Sequence, residues 1–339
     1  MKSQLVSFKG LSLKNNNVRS KPAHQSAFGI IVHKEIADHI RSWRFNVLIS
    51  LITLTFMAAM YVSLGNIKAA VGNANDPDRL FLYLKLLTVT DNSIPPFHVF
   101  LSFLAPLLGI SLGFDAINAE QNNGTLTRLM AQPIYRDNLL LAKFVSALII
   151  VGILFLSLAL LVMGGGMLLT GVRMEPQEVL RILGFVAITV VYVAFWLSLS
   201  ILLSIKFKQA ATAALTAIGI WLFFTVFYQI VVNLLIRSFL SDPAFLSQQE
   251  IIAYNELILN ILRIAPNQLY TDATTTLLMP SVRSLGPLTM EQMAGAIPAP
   301  LPVKESLMIV WPQVSGLIAA TVACFALSYA SFMRREIRS

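Results

Sequence analysis

Residues 142–170 read AKFVSALIIVGILFLSLALLVMGGGMLLT. Beyond Lys143 the run carries no charge, and as a helix it extends about 40 Å, more than the ~30 Å hydrocarbon core of a bilayer. Lipid offers a peptide group no hydrogen-bond partner, so a run of this kind crosses as a helix that satisfies its own backbone. Five more segments are long enough to span: Phe45–Gly65, Phe97–Phe114, Ile182–Ile205, Ala210–Ile236 and Ile309–Met333. None has a charge near its centre, where insertion would cost roughly 2.5–3.5 kcal/mol. Pro95, Pro96 and Pro106 interrupt the second segment, which membrane helices tolerate when neighbours satisfy the freed carbonyls. Of the 339 residues only 12% are charged, about half the fraction of a soluble domain. The fold class predicted is an all-α polytopic membrane protein. It has six transmembrane helices, an N-terminal interfacial helix and a large outside loop between spans five and six.

An even number of spans puts both termini on one side. Sixteen of the 25 Lys and Arg residues fall on that side when Lys143 is counted with the connection before the third span. The Lys/Arg excess predicts cytosolic termini. The formal charge of +8 is then a topology signal. No basic stripe with interleaved aromatics accompanies it, so nucleic acid is not an expected partner.

Outside the spans, residues 1–27 are polar and basic without an apolar signal-peptide core, and read as a disordered cytosolic tail. Residues 28–44 place Phe28, Ile31, Val32, Ile36, Ile40 and Trp43 at helical spacing, the pattern of an amphipathic helix lying in the membrane interface. Residues 45–236 hold spans one to five, with a cytosolic segment at 118–141. Leu80–Leu87 is too short to cross and reads as an outer-interface segment. Residues 237–308 form the outside loop. A helix is expected over Ser247–Ile264, and loops are expected in the Pro-, Gly- and Thr-rich second half. Residues 309–339 hold the sixth span and a basic cytosolic tail.

Several chemistries are missing. No G-x-x-x-x-G-K-[ST] phosphate loop occurs, and no Gly-Lys pair occurs at all, so ATP hydrolysis is not expected on this chain. His33 and His39 are six apart, on nearly opposite sides of a helix, and no metal site is expected. Cys324 reads as a packing residue, Gly164–Gly166 as close helix packing or a hinge, and Asp115 as an interfacial anchor. Mid-span ionisable groups, which a secondary transporter would normally need, are absent from all six segments. An ATP-independent carrier or an integral scaffold remains the alternative reading.

The segment richest in information is Glu120-Gln-Asn-Asn-Gly124-Thr125-Leu126-Thr-Arg128-Leu129-Met-Ala-Gln-Pro133-Ile-Tyr-Arg136. It is a polar break, then a helix-prone piece ended by Pro133, then a return into lipid. Its pattern E-x-x-x-G-T-L-x-x-L-x-x-x-P-I-x-R resembles the cytosolic coupling segment of type-2 ABC exporter permeases. The similarity is greatest to the bacterial branch associated with gliding motility and nitrous-oxide-reductase maturation. Lys34-Glu35, the stretches Arg263–Ala273 and Met279–Arg283, Trp311-Pro312 and the ending Arg334–Arg338 also resemble that family.

The resemblance implies a permease working with a cytosolic ABC ATPase and with a second permease copy or paralogue. This chain would bind no cofactor, and ATP and Mg would sit on the ATPase. Glu120, Gly124, Thr125, Leu126, Arg128, Leu129, Pro133 and Arg136 would form the ATPase-coupling site, with Gly124–Leu129 as the contact helix. Glu120 would pair with Arg128, with Arg136 or with a partner residue. Lys206, Lys208 and Gln209 would add a second coupling loop or serve as positive anchors. The outside loop is much longer than in polymer-exporting members, and an extracytoplasmic partner is one expectation for it. The apolar spans suggest a lipid-like, amphipathic or peptidic cargo rather than an ion, or mechanical work on an extracytoplasmic partner, and the resemblance implies a bacterial or archaeal cell membrane.

Overall fold

The computed structural model describes residues 27–70, 81–89, 95–126, 135–171, 173–239, 248–281 and 300–334. The N-terminal tail, Arg128, Leu129, Pro133, the 282–299 stretch and the final basic residues lie outside the described residues. Among the described residues every regular element is helical.

Six helices are long and apolar enough to cross a membrane, in the order expected from the apolar runs. Their ends extend past those runs, because polar residues cap and continue helices that lipid-facing residues start. The third is Arg136–Thr170, the fourth Pro176–Lys206 and the sixth Val303–Arg334. Glu175 and Glu178 close a capping box at the start of the fourth, with Pro176 in the first turn where a missing N–H costs nothing. The second span, Phe97–Gly113, begins just after Pro95-Pro96 and stays helical through Pro106. The fifth is interrupted at Phe223–Phe227 by one π-turn between Ala210–Leu222 and Tyr228–Phe239.

The fourth span is the axis of the bundle, with Tyr192, Trp196 and Leu197 completely buried. The second span reaches it through Gly109 and Gly113, four residues apart on one face. A Cβ at Gly109 would lie 2.7 Å from the Val193 carbonyl oxygen, and one at Gly113 would lie 2.9 Å from that of Leu197. Small residues at this spacing let membrane helices pack backbone to backbone. The sixth span joins the same axis, where Ser328 Oγ donates to the Ser198 carbonyl. Gly166 in the third span faces the Tyr83 ring so closely that a Cβ would come within 2.7 Å of it, and one at Gly165 would lie 3.2 Å from the Met60 Cε, whereas nothing lies within 4 Å of one at Gly164.

Two parts of the fold differ from the sequence expectations. Leu82–Thr88 is a helix whose Tyr83, Leu84, Leu86 and Leu87 are buried among the spans instead of resting at an interface. Glu178 Oε1 accepts from the Tyr83 N–H, Ser63 Oγ donates to the Val89 carbonyl, and His98 Nδ1 lies 3.2 Å from the Leu87 carbonyl. These contacts explain how a run too short to cross is held at the bundle end opposite the termini.

The second difference lies in the long loop. Gln248–Leu262 is helical as expected, but Pro266–Leu278 is a second helix and not loop. Together they form a re-entrant hairpin. Tyr270 stacks on Tyr192 at 4.3 Å between ring centroids, and its hydroxyl is 3.1 Å from Thr189 Oγ1. Tyr192 is midway along the 31-residue fourth span, so the hairpin descends to the middle level of the bundle. Its Thr-rich composition concealed this. Thr274 and Thr276 each donate to the carbonyl four residues back, which lets polar side chains be buried in a helix.

Candidate functional site

The polar residues at the terminal end of the bundle converge on one ion-pair cluster. The amphipathic helix Ala27–Arg41 packs on the third span with Ile31 and Glu35, four residues apart, turned inward. Glu35 is only 5% exposed and Lys143 only 6%. Lys143 Nζ lies 2.9 Å from Glu35 and 2.8 Å from Glu120. Lys34 adds contacts of 3.0 Å to Glu35 and 3.6 Å to Glu120. Buried Glu35 and half-buried Glu120 thereby share buried Lys143 and the more exposed Lys34, which offsets the desolvation cost of burying charge here. Burial alone would raise the Glu35 carboxyl, but Lys143 and then Lys34 outweigh it and hold the group below its ordinary value. Burial pushes the neighbouring His39 imidazole down.

The turn after the second span is fixed by a different device. Ser204 Oγ, on the fourth span, accepts from the backbone N–H groups of Ile117 and Asn118 at 3.0 and 3.2 Å. That caps the short helix Asn118–Asn122, which carries Glu120. Gly124 then adopts φ +67°, a left-handed conformation that favours glycine, and reverses the chain. Thr125 Oγ1 donates back to the Glu120 carbonyl at 3.1 Å. Gln121 through Thr125 are exposed, whereas Leu126 is 4% exposed and belongs to the hydrophobic core. Asp115 pairs with Arg44 at 2.8 Å, and that guanidinium also lies 4.7 Å from the Phe114 ring centroid.

A cavity of about 510 Å³ opens beside this cluster, lined among others by Lys34, Glu35, His39, Asp115, Glu120 and Lys143. The arrangement binds three elements into one unit: the amphipathic helix, the turn after span two and the base of span three. A force on the exposed turn would reach both helices through Glu120.

Of the residues expected in the site, Glu120, Gly124, Thr125 and Leu126 are close together. Arg136 begins the third-span helix. Lys206 ends the fourth, Gln209 immediately precedes the fifth, and the Lys208 carbonyl accepts from Asn122 Nδ2 at 3.0 Å, which ties the second loop to the first. Glu120 pairs with Lys143 and Lys34, neither of which the sequence offered as its partner, and Arg128 lies outside the described residues. Lys143 escaped the sequence reading because a lysine at the end of an apolar run is ordinarily an interface anchor. One signal was available: Glu35 interrupts an otherwise apolar helix stripe, four residues after Ile31.

The sequence matches the family described as ABC-2 family transporter protein over residues 30–337. That is nearly the whole chain, and it belongs to this family. It is a multi-pass membrane permease. It is 31% identical over 245 residues to a probable ABC transporter permease protein NosY of Stutzerimonas stutzeri, covering 69% of this chain and 77% of that protein. A NosY permease of Pseudomonas aeruginosa is 32% identical over 134 residues, covering 38% of this chain and 47% of its relative.

Proposed function

We propose that this chain couples a separate cytosolic ABC ATPase to export, with the exposed turn at Gln121–Thr125 as the ATPase contact. The observation that carries this reading is the Glu120–Lys143–Glu35 cluster directly behind the turn. Buried ion pairs are stiff and intolerant of partial separation, so displacing the turn moves the amphipathic helix and third span with it. Gly124, Thr125 and the polar turn supply the docking surface. Buried Leu126 anchors that surface to the permease, and Arg128, Leu129, Pro133 and Arg136 complete the segment. Lys206, Lys208 and Gln209 form the second loop, braced on the first through Asn122.

In this reading the termini are cytosolic, the membrane is the bacterial inner membrane, and ATP with Mg is held by the ATPase. A second permease copy completes the transporter. Replacing Gln121 with Trp and Thr125 with Arg tests the contact without touching the core. The expected result is loss of ATPase co-purification with normal membrane insertion. Retained association and transport would place the contact elsewhere.

A further inference from the structure

The cavity of about 510 Å³ beside the ion-pair cluster reaches the exposed turn, because Asn123 and Thr125 line it together with the amphipathic helix. Exposure grades across its wall. The side chains of Glu35 and Lys143 are buried, whereas those of Lys34, Arg44 and Asp38 are each more than half exposed and form the rim. The cavity is therefore closed by the cluster on one side and open where the turn presents its polar surface.

Its charges do not balance. The lining carries four carboxylates, Glu35, Asp38, Asp115 and Glu120, against the three cations Lys34, Arg44 and Lys143. His39 also lines it but adds no charge near neutral pH, because burial pushes its imidazole down. Among the described residues no fourth cation borders the cavity. Lys143 is taken up by Glu35 and Glu120, and Arg44 by one oxygen of Asp115. Lys34 is left to serve three carboxylates at once, with Glu35 at 3.0 Å, Asp38 at 3.5 Å and Glu120 at 3.6 Å. Burial would lower the Lys34 ammonium, but Glu35, Glu120 and Asp38 together hold it above its ordinary value. The shortfall falls on Asp38, which has the most exposed carboxylate of the three.

We propose that this cavity is a socket for a lysine or arginine side chain of the ATPase, which enters beside Asn123 and Thr125 and pairs with Asp38 and Asp115. This rests on the coupling reading above and adds the chemistry of the contact. An ammonium or guanidinium supplies the missing positive charge, and its remaining N–H groups find oxygen acceptors on Ser42 and Asn123 in the same wall. An acidic side chain in that place would deepen the surplus, so the socket also discriminates between partners.

The test is the affinity of the co-purifying ATPase for the full-length permease in nanodiscs. Asp38→Lys, at the exposed rim, should raise Kd by about tenfold and flatten its dependence on salt, as expected when a rim charge is reversed. Asp38→Asn should raise it by a smaller factor. Changing lysines and arginines of the ATPase to glutamate one at a time should recover the Asp38→Lys affinity at one position. An unchanged Kd, or recovery at no position, overturns the proposal. So does a melting loss in the Asp38→Lys permease alone that Arg128→Gln reproduces, since the missing cation would then belong to this chain. Phosphatidylethanolamine retained by the parent and lost from Asp38→Lys also overturns it, since the cavity would then hold a lipid amine. Cross-linking from Thr125→Cys in a Cys324→Ser background separates the two claims. A cross-link kept alongside an unchanged Kd removes the socket alone, and absence of the cross-link removes the coupling reading with it.

Discussion

Lys143 meets Glu120 at 2.8 Å across the space between the base of the third span and the turn after the second. The contact joins the short helix Asn118–Asn122 to the third span, and Glu35 completes it from a third element at 2.9 Å. In this ABC-2 permease the Glu35–Lys143–Glu120 cluster thus lies directly behind the exposed Gln121–Thr125 turn.

Lys143→Met would leave Glu35 and Glu120 buried with only Lys34 to balance them. Breaking a buried pair by removing one partner typically costs about 3–5 kcal/mol. Thermal unfolding in detergent should show a loss of that order. Lys143→Met with Glu35→Gln should cost less than the sum of the two single variants, since they share one interaction. Strict additivity would mean that the cluster carries no coupling.

Acid should weaken the same cluster in two stages. A group whose folded pKa is depressed adds stability above its unfolded pKa and loses it as pH falls through the folded value. His39 is depressed by burial, so its contribution fades as pH drops below its ordinary 6.5. Glu35, depressed by Lys143 and Lys34, loses its contribution lower, within and below the carboxylate range. Thermal midpoints measured from about pH 8 to about pH 3 should fall in that order. His39→Gln should remove the upper step and Glu35→Gln the lower one.

Helix packing gives a sharper contrast. Gly109→Ala forces a methyl group toward the Val193 carbonyl, for which overpacking should cost about 1–3 kcal/mol. Gly152→Ala, with nothing within 4 Å of its added Cβ, should be neutral or slightly stabilising. Equal effects in a melting assay would contradict the close approach of spans two and four.

Arg181 is the clamp at the far end. It is fully buried, donates to the Leu277 carbonyl at 2.8 Å and to Ser306 Oγ at 3.1 Å, and reaches the Leu301 carbonyl. Arg181→Ala should cost roughly 3 kcal/mol, the loss of charge-assisted hydrogen bonds at a buried site. It should also release the hairpin, seen as faster protease cleavage near Leu278. Cleavage at the parent rate would show that the hairpin is held by its other contacts.

The sequence disclosed the six spans because each is a continuous apolar run, and bilayer thickness sets a length that few other structures need. It disclosed a polar break at Asn122-Asn123-Gly124, and there Gly124 takes the left-handed conformation that turns the chain. The pairing of Glu120 with Lys143 was not legible, since it joins positions 23 residues apart through a helix orientation that no local pattern specifies. The descent of Pro266–Leu278 was hidden for a related reason. Its Thr, Asn and Asp residues look like loop in water, and only the carbonyl and Arg263 contacts of the folded bundle make them fit for burial.

An ATPase seated on the turn at Gln121–Thr125, as proposed, would bring its own thiols or lysines within cross-linking reach of a cysteine placed there. Cys324 is the chain's single cysteine, so Cys324→Ser gives a cysteine-free background. Thr125→Cys in that background should cross-link to the co-purifying ATPase, and Leu168→Cys, at the opposite end of the third span, should not. Absence of cross-linking at positions 121–125 in an intact, ATP-hydrolysing complex, or equal cross-linking from Leu168, would contradict the account.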